Sequence, residues 1–104
     1  MNTTNPIDAS IMMGKGEALV LDVRTPEEFA EGHLKGAWNF DINGEKFVEH
    51  IKGLEPNTPY IVYCQTGGRS SRATSLMHEL GFGKAMNMMG GINAWKAAGL
   101  PVEK

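Results

Sequence analysis

Two unbroken apolar runs, Ala18-Leu19-Val20-Leu21 and Tyr60-Ile61-Val62-Tyr63, constrain this chain more than any other feature. A strand with one face in water alternates apolar and polar residues. A continuous apolar run of four residues belongs to a strand covered on both faces, as in a parallel sheet between helices. The intervening sequence supplies those helices. Thr25-Pro26-Glu27-Glu28 reads as an N-cap, an N1 proline and a capping box closed by Glu28, opening a short helix that ends near Gly32. Phe47, Val48, Ile51 and Leu54 share one face of a second helix, stopped by Gly53 and Pro56. Ala73, Leu76, Met77 and Leu80 mark a third from about Ser70 to Leu80, with Gly81 as its left-handed cap. A fourth runs from about Ile92 to Ala98, followed by Gly99 and Pro101. Asn5-Pro6 opens a further short helix carrying Ile7, Ile11 and Met12, and Ala37–Phe40 and Ala85–Met88 are the remaining strand candidates. Strands alternating with helices predict an α/β sandwich around a mainly parallel sheet, and 104 residues suit one domain over 1–104.

Composition excludes several functions. Ten basic against twelve acidic residues give a net charge of −2, which argues against a general nucleic-acid or membrane-surface binder. No run approaches the ~18 apolar residues of a membrane span. The start, Met1-Asn2-Thr3-Thr4-Asn5-Pro6, has neither the basic nor the apolar region of a secretory signal, so a cytoplasmic location is expected. The single cysteine, Cys64, excludes an internal disulfide and a cysteine-rich zinc site, and a lone functional thiol suits a reducing compartment. His33, His50 and His78 are dispersed, so neither a metal nor a cofactor is expected.

The chemistry lies in Cys64-Gln65-Thr66-Gly67-Gly68-Arg69-Ser70-Ser71. A buried strand stops at Cys64, a loop with two glycines follows, and a helix starts near Ser70. Ligands of parallel sheets bind beyond the carboxyl ends of strands, where Cys64 falls. The glycines let successive N–H groups curl into an anion nest, the helix N-terminus adds its free N–H groups, and Arg69 adds a forked positive donor. Each of these favours thiolate over thiol. A cysteine taken alone reads more simply as a small buried hydrophobe. Strand, cysteine, glycine turn, arginine and helix together make it a nucleophile.

The surrounding residues have plainer readings. Asp22 and Arg24 at a strand end brace neighbouring loops, with Glu28 as a partner for Arg24. Arg72 faces either the loop mouth or water. His33 is a satisfied structural histidine, whereas His50 and His78 face solvent. Trp95 and Ile92 enter the core, as do Met86, Met88 and Met89, of which Met89 could also border the pocket.

Three segments in order resemble the single-domain rhodaneses, sulfurtransferases of the thiosulfate:cyanide type. Leu21-Asp22-Val23-Arg24-Thr25-Pro26-Glu27-Glu28-Phe29 with Gly32-His33-Leu34-Lys35-Gly36-Ala37 is similar to the N-terminal signature. Cys64 through Ser70 resembles the active-site loop C-x-x-G-x-R-S, and Gly90-Gly91-Ile92-Asn93-Ala94-Trp95 through Val102 resembles the C-terminal signature. The resemblance implies a rhodanese-like three-layer sandwich, with Cys64 carrying sulfur as a persulfide. Gln65, Thr66, Gly67, Gly68, Arg69 and Ser70 would cradle the substrate, and Asp22 and Arg24 would support them. Two departures stand out: the first strand is short or missing, and Asp41-Ile42-Asn43-Gly44 occupies a connection that is usually apolar or proline-containing.

On this reading thiosulfate is the donor and cyanide or a thiol the acceptor. With no second cysteine to discharge it, the persulfide must pass to an outside nucleophile, a small thiol or a thioredoxin-like protein. The alternatives are a persulfide carrier, a non-catalytic interaction module, and a cysteine-dependent phosphatase or arsenate reductase. Rhodanese-like enzymes of the last kind have five residues between cysteine and arginine, enough to surround a tetrahedral oxyanion. Here there are four, Gln65 to Gly68.

Overall fold

Tyr60–Tyr63 becomes the central strand, with all four residues buried. The computed structural model describes residues 2–104. In chain order the elements are β1 (Thr3–Thr4), α1 (Pro6–Gly14), β2 (Leu19–Asp22), α2 (Pro26–Glu31), β3 (Trp38–Asn39), α3 (Phe47–Lys52), β4 (Tyr60–Tyr63), α4 (Gly68–Glu79), β5 (Ala85–Met88) and α5 (Gly91–Ala97). The five strands form one sheet in the order β1-β5-β4-β2-β3, and every pairing is parallel.

Alternation along the strands divides the core in two. Leu21, Tyr60 and Val62 pack with Phe47 and Ile51 of α3 and Ala73 and Met77 of α4. Val20, Ile61 and Tyr63 point the other way, onto Ala9 of α1 and Ile92 and Trp95 of α5. Each apolar run therefore serves two helical layers at once, which is why neither contains a solvent-facing polar position. The three-layer α/β sandwich expected from the sequence is the fold observed.

The strand order places the site. After β2 the chain crosses to β3, and after β4 it crosses the opposite way to β5. The adjacent carboxyl ends of β2 and β4 thus part in opposite directions, opening the crevice in which open parallel sheets bind ligands. Asp22 ends β2, and Cys64 follows β4.

Some local expectations shift. The first apolar strand spans Leu19–Asp22 instead of Ala18–Leu21, because Asp22 pairs with Tyr63 across the sheet. The second helix stops at Lys52, leaving Leu54 outside it and Val48 exposed. His78 does not face solvent: its Nε2 is 2.8 Å from the Ala85 carbonyl oxygen. β1 is indeed short, two residues paired in parallel with Asn87 and Met88. No described helix is long and apolar enough to cross a membrane.

Tyr63 links sheet and loop, since its fully buried hydroxyl accepts the Leu34 N–H at 3.0 Å. Tyr63→Phe leaves that buried donor unsatisfied, so urea unfolding should show a loss of about 1–3 kcal/mol with an unchanged fold. An unaltered midpoint would mean that water replaces the hydroxyl.

Candidate active site

Cys64 sits on the floor of this crevice, 1% exposed. Gly67, in the left-handed region at φ 114°, turns the chain directly into α4, which starts at Gly68. Helix therefore begins two residues earlier than the sequence suggests, and Arg69 and Ser70 lie in its first turn. The Gly67 N–H points at Cys64 Sγ from 3.0 Å, and the Ser70 hydroxyl lies 3.4 Å from the same sulfur. Burial pushes the Cys64 thiol up. The Ser70 hydroxyl and the N–H groups of Ser70, Gly67 and Thr66 outweigh it and hold the thiol below its ordinary value.

The carbonyls that open the loop are bound to α5. The Ile92 N–H donates to Cys64 O at 2.9 Å and the Asn93 N–H to Gln65 O at 3.2 Å. Gly91 makes this approach possible: a Cβ on it would stand 2.5 Å from both carbonyl oxygens, and its φ is +60°. The first turn of α5 is thus a clasp on the backbone of the active-site loop.

Side chains reinforce the clasp. Arg24, 3% exposed, donates from Nε and Nη2 to the buried Asp22 carboxylate, from Nη2 to Gly32 O at 2.7 Å, and from Nη1 to Gln65 Oε1 at 3.1 Å. Gln65 Nε2 donates in turn to Asn93 Oδ1 at 2.6 Å. Asp22 and Arg24, expected to brace neighbouring loops, tie the end of β2 to Gly32 and Gln65. Gln65, expected in the substrate cradle, bridges Arg24 and α5. Thr66 and Gly68 are exposed at the rim.

Glu28 corrects the sequence reading. It was expected opposite Arg24, but Asp22 is nearer along the chain and, with Gly32 O and Gln65 Oε1, occupies that guanidinium. Glu28 instead accepts both Arg69 Nη1 and Nη2, at 2.6 and 2.9 Å, while closing the capping box with Thr25. The Arg69 guanidinium holds the Glu28 carboxyl down to about 2, against the cost of its burial and with help from the Thr25 N–H. Arg69 is consequently tied to a carboxylate, and the sulfur is held chiefly by neutral dipoles. Arg72 lies outside the site, exposed, with Nη2 3.4 Å from Asn43 Oδ1. Met89 is not core: it stands 55% exposed just before Gly90 and Gly91, while Met88 is buried.

Two site residues were missed. Asn93 holds Gln65, and the buried Asn87 accepts the Ser70 hydroxyl at 2.6 Å. The visible signal for Asn87 was a single polar residue inside Ala85-Met86-Asn87-Met88. Beside the loop, Arg24, Glu28, Glu31, Gly32, Gln65 and Lys96 line a polar cavity of about 130 Å³. Among the described residues, no group of three or more His, Cys, Asp or Glu side chains is placed to hold a metal.

Residues 6–98 match the family described as Rhodanese-like domain. The chain is 38% identical over 93 residues to "Thiosulfate sulfurtransferase 16, chloroplastic" of Arabidopsis thaliana, covering 80% of this chain and 78% of that protein. It is 30% identical to "Thiosulfate sulfurtransferase GlpE" of Vibrio cholerae, over 91% of this chain and 88% of the relative. A rhodanese-related protein from Thermoplasma volcanium superposes with a TM-score of 0.89 at 31% identity, covering 99% and 98% of the two chains. A human single domain sulfurtransferase gives 0.81 at 26% identity, covering 93% and 96%.

Two outcomes are expected. Gly91→Ala forces either the loop or α5 to move, so unfolding should show a loss of at least about 2 kcal/mol and Cys64 alkylation should slow. Glu28 has its folded-state value depressed from 4.5 to about 2, so its contribution is complete above 4.5 and lost as pH falls towards 2. Across that window the wild type should lose more stability than Glu28→Gln, as followed by thermal melts at stepped pH.

Proposed function

Because the chain belongs to the rhodanese-like domain family, we propose that it is a sulfurtransferase that takes the sulfane sulfur of thiosulfate onto Cys64 as a persulfide and passes it to cyanide or a thiol. The observation that carries this reading is the ring of donors on Cys64 Sγ: the N–H groups of Thr66, Gly67 and Ser70 and the Ser70 hydroxyl. These groups favour the thiolate without a neighbouring histidine base.

The Cys64 thiolate attacks the outer sulfur of thiosulfate. A new sulfur–sulfur bond forms as the bond in thiosulfate breaks, and sulfite leaves with the electron pair. Sulfite is already a stable anion, so no general acid is needed. Charge balances: a thiolate and a dianion become a persulfide anion and a dianion. The terminal sulfur of the persulfide then faces the loop N–H groups, which stabilise it as an oxyanion hole stabilises oxygen. An outside nucleophile attacks that sulfur, regenerating the Cys64 thiolate. Since the chain has one cysteine, the acceptor is external: a small thiol or a thioredoxin-like protein in a reducing compartment such as the cytoplasm. The two half-reactions give ping-pong kinetics.

One observation favours a variant of this reading, in which a persulfide donor loads Cys64 more efficiently than thiosulfate. Asp22 pairs with Arg24 and Glu28 with Arg69, so the four charges nearest the loop cancel. A dianion meets N–H dipoles there without a net positive charge.

Intact-mass measurement after thiosulfate treatment and desalting should show one added sulfur on the wild type, removed by cyanide or dithiothreitol. Cys64→Ser should take up none and fall to the background rate of thiosulfate:cyanide transfer with its fold intact. Turnover without any such adduct would exclude the persulfide route.

A further inference from the structure

Asn87 is the one polar side chain in β5, 7% exposed between Met86 and Met88. On the sheet it shares a face with Ala85, which packs in the layer of α4. Its Oδ1 lies 2.6 Å from Ser70 Oγ. That hydroxyl, itself fully buried, also lies 3.4 Å from Cys64 Sγ and 3.3 Å from the Gly67 carbonyl oxygen. Ser70 is anchored from below, since the Thr74 hydroxyl donates to its carbonyl at 2.7 Å. One hydroxyl proton therefore faces three acceptors.

We propose that Asn87 is a positioning residue for sulfur transfer, acting through Ser70 to set whether that hydroxyl's proton points at Asn87 or at the Cys64 sulfur. The proposal rests on the sulfur-transfer reading for its role in the cell, but its geometry stands apart from it. While Cys64 is a thiol it has its own hydrogen to donate, and the Ser70 proton rests on Asn87 Oδ1. A thiolate has no hydrogen and attracts the Ser70 proton. The Asn87 amide serves both states because it has an acceptor end and a donor end. Half a turn presents Nδ2 to Ser70 Oγ, so the hydroxyl can turn to sulfur and keep its hydrogen bond. An apolar side chain would pack in β5 as well as the neighbouring methionines do, yet it would remove both the acceptor that holds the Ser70 proton and the donor that supports the turned hydroxyl. The charged groups nearest the sulfur are Arg69 on α4, bound to Glu28 of α2, and Asp22 with Arg24 at the end of β2. None of them touches Asn87 through a hydrogen bond.

The test is the pH profile of Cys64 alkylation by iodoacetamide, which requires no sulfur donor. It is measured for the wild type, Asn87→Ala, Asn87→Asp, Ser70→Ala and the corresponding double variants, with thermal melts alongside. At a pH below the wild-type midpoint, Asn87→Asp, which can only accept and so keeps the Ser70 proton off the sulfur, should react about three- to tenfold more slowly, and Asn87→Ala, which removes acceptor and donor alike, should be shifted less. In the Ser70→Ala background, Asn87→Ala should have no further effect, and that of Asn87→Asp should shrink to what its charge exerts through space. A merely structural role would lower the melting temperature and leave the profile in place. Wild-type profiles in both variants, or effects equally large without Ser70, would overturn the proposal. If Asn87→Ala does not fold, the near-isosteric Asn87→Asp decides by the same comparison. A protein that gains no sulfur on Cys64 from thiosulfate or from a small-molecule persulfide, yet shows the Ser70-dependent shift, would refute the sulfur-transfer reading and leave this assignment standing.

Discussion

The carbonyls of Cys64 and Gln65 are tied to the first turn of α5, and the rest of the site depends on those two bonds. A peptide group directs its N–H and its C=O to opposite sides. With the Gln65 carbonyl turned outward to Asn93, the Thr66 N–H of the same peptide group is directed to the side of the sulfur. The clasp also explains why the C-terminal Gly90-Gly91 segment lies against the Cys64 loop although it holds no reactive group. Gly91 is needed both for its left-handed φ and for the absence of a Cβ against two carbonyl oxygens.

The charges follow a consistent division of labour. Asp22 and Arg24 are almost wholly buried, which is tolerable only because the guanidinium also satisfies Gly32 O and Gln65 Oε1. Arg24 thereby connects the ends of β2 and β4 across the crevice, and its cation lies 5.6 Å from the centre of the Tyr63 ring. Glu28 and Arg69 make the outer pair, joining the start of α2 to the start of α4. With the four charges balanced, the preference for a sulfur anion comes from oriented N–H dipoles and the Ser70 hydroxyl. Such dipoles act over short range and suit a compact site with its thiol on the floor.

Most of the architecture could be read directly. The two apolar runs became adjacent central strands because a short unbroken run bounded by turn residues fits a sheet covered on both sides. The Thr25–Glu28 capping box formed as read, since both partners lie within one helical turn. Cys64 and its glycine loop were legible because strand, turn and helix are local events with local chemistry. Glu28 was assigned the wrong arginine because sequence proximity favours Arg24, whereas Arg69 lies 41 positions away. His78 was placed in water by its position off the apolar stripe, yet the carbonyl it meets belongs to β5. Gln65 was read as a substrate ligand, and only the approach of Arg24 and Asn93 shows its side chain occupied.

Sequence alone determined the layered α/β fold, the position of the lone cysteine at a strand end, and the glycine turn that bends N–H groups toward it. These follow from hydrophobic period, turn stereochemistry and capping, each acting within a few residues. Tertiary structure alone decided which cation meets which anion, which carbonyls are turned away from the sulfur, and that Asn87 of β5 stands behind Ser70. Those outcomes rest on the order β1-β5-β4-β2-β3, which brings the ends of β2, β4 and β5 and the starts of α2, α4 and α5 into one crevice. Contacts between segments so distant along the chain leave no periodic trace in it, because the packing of the whole sheet selects them.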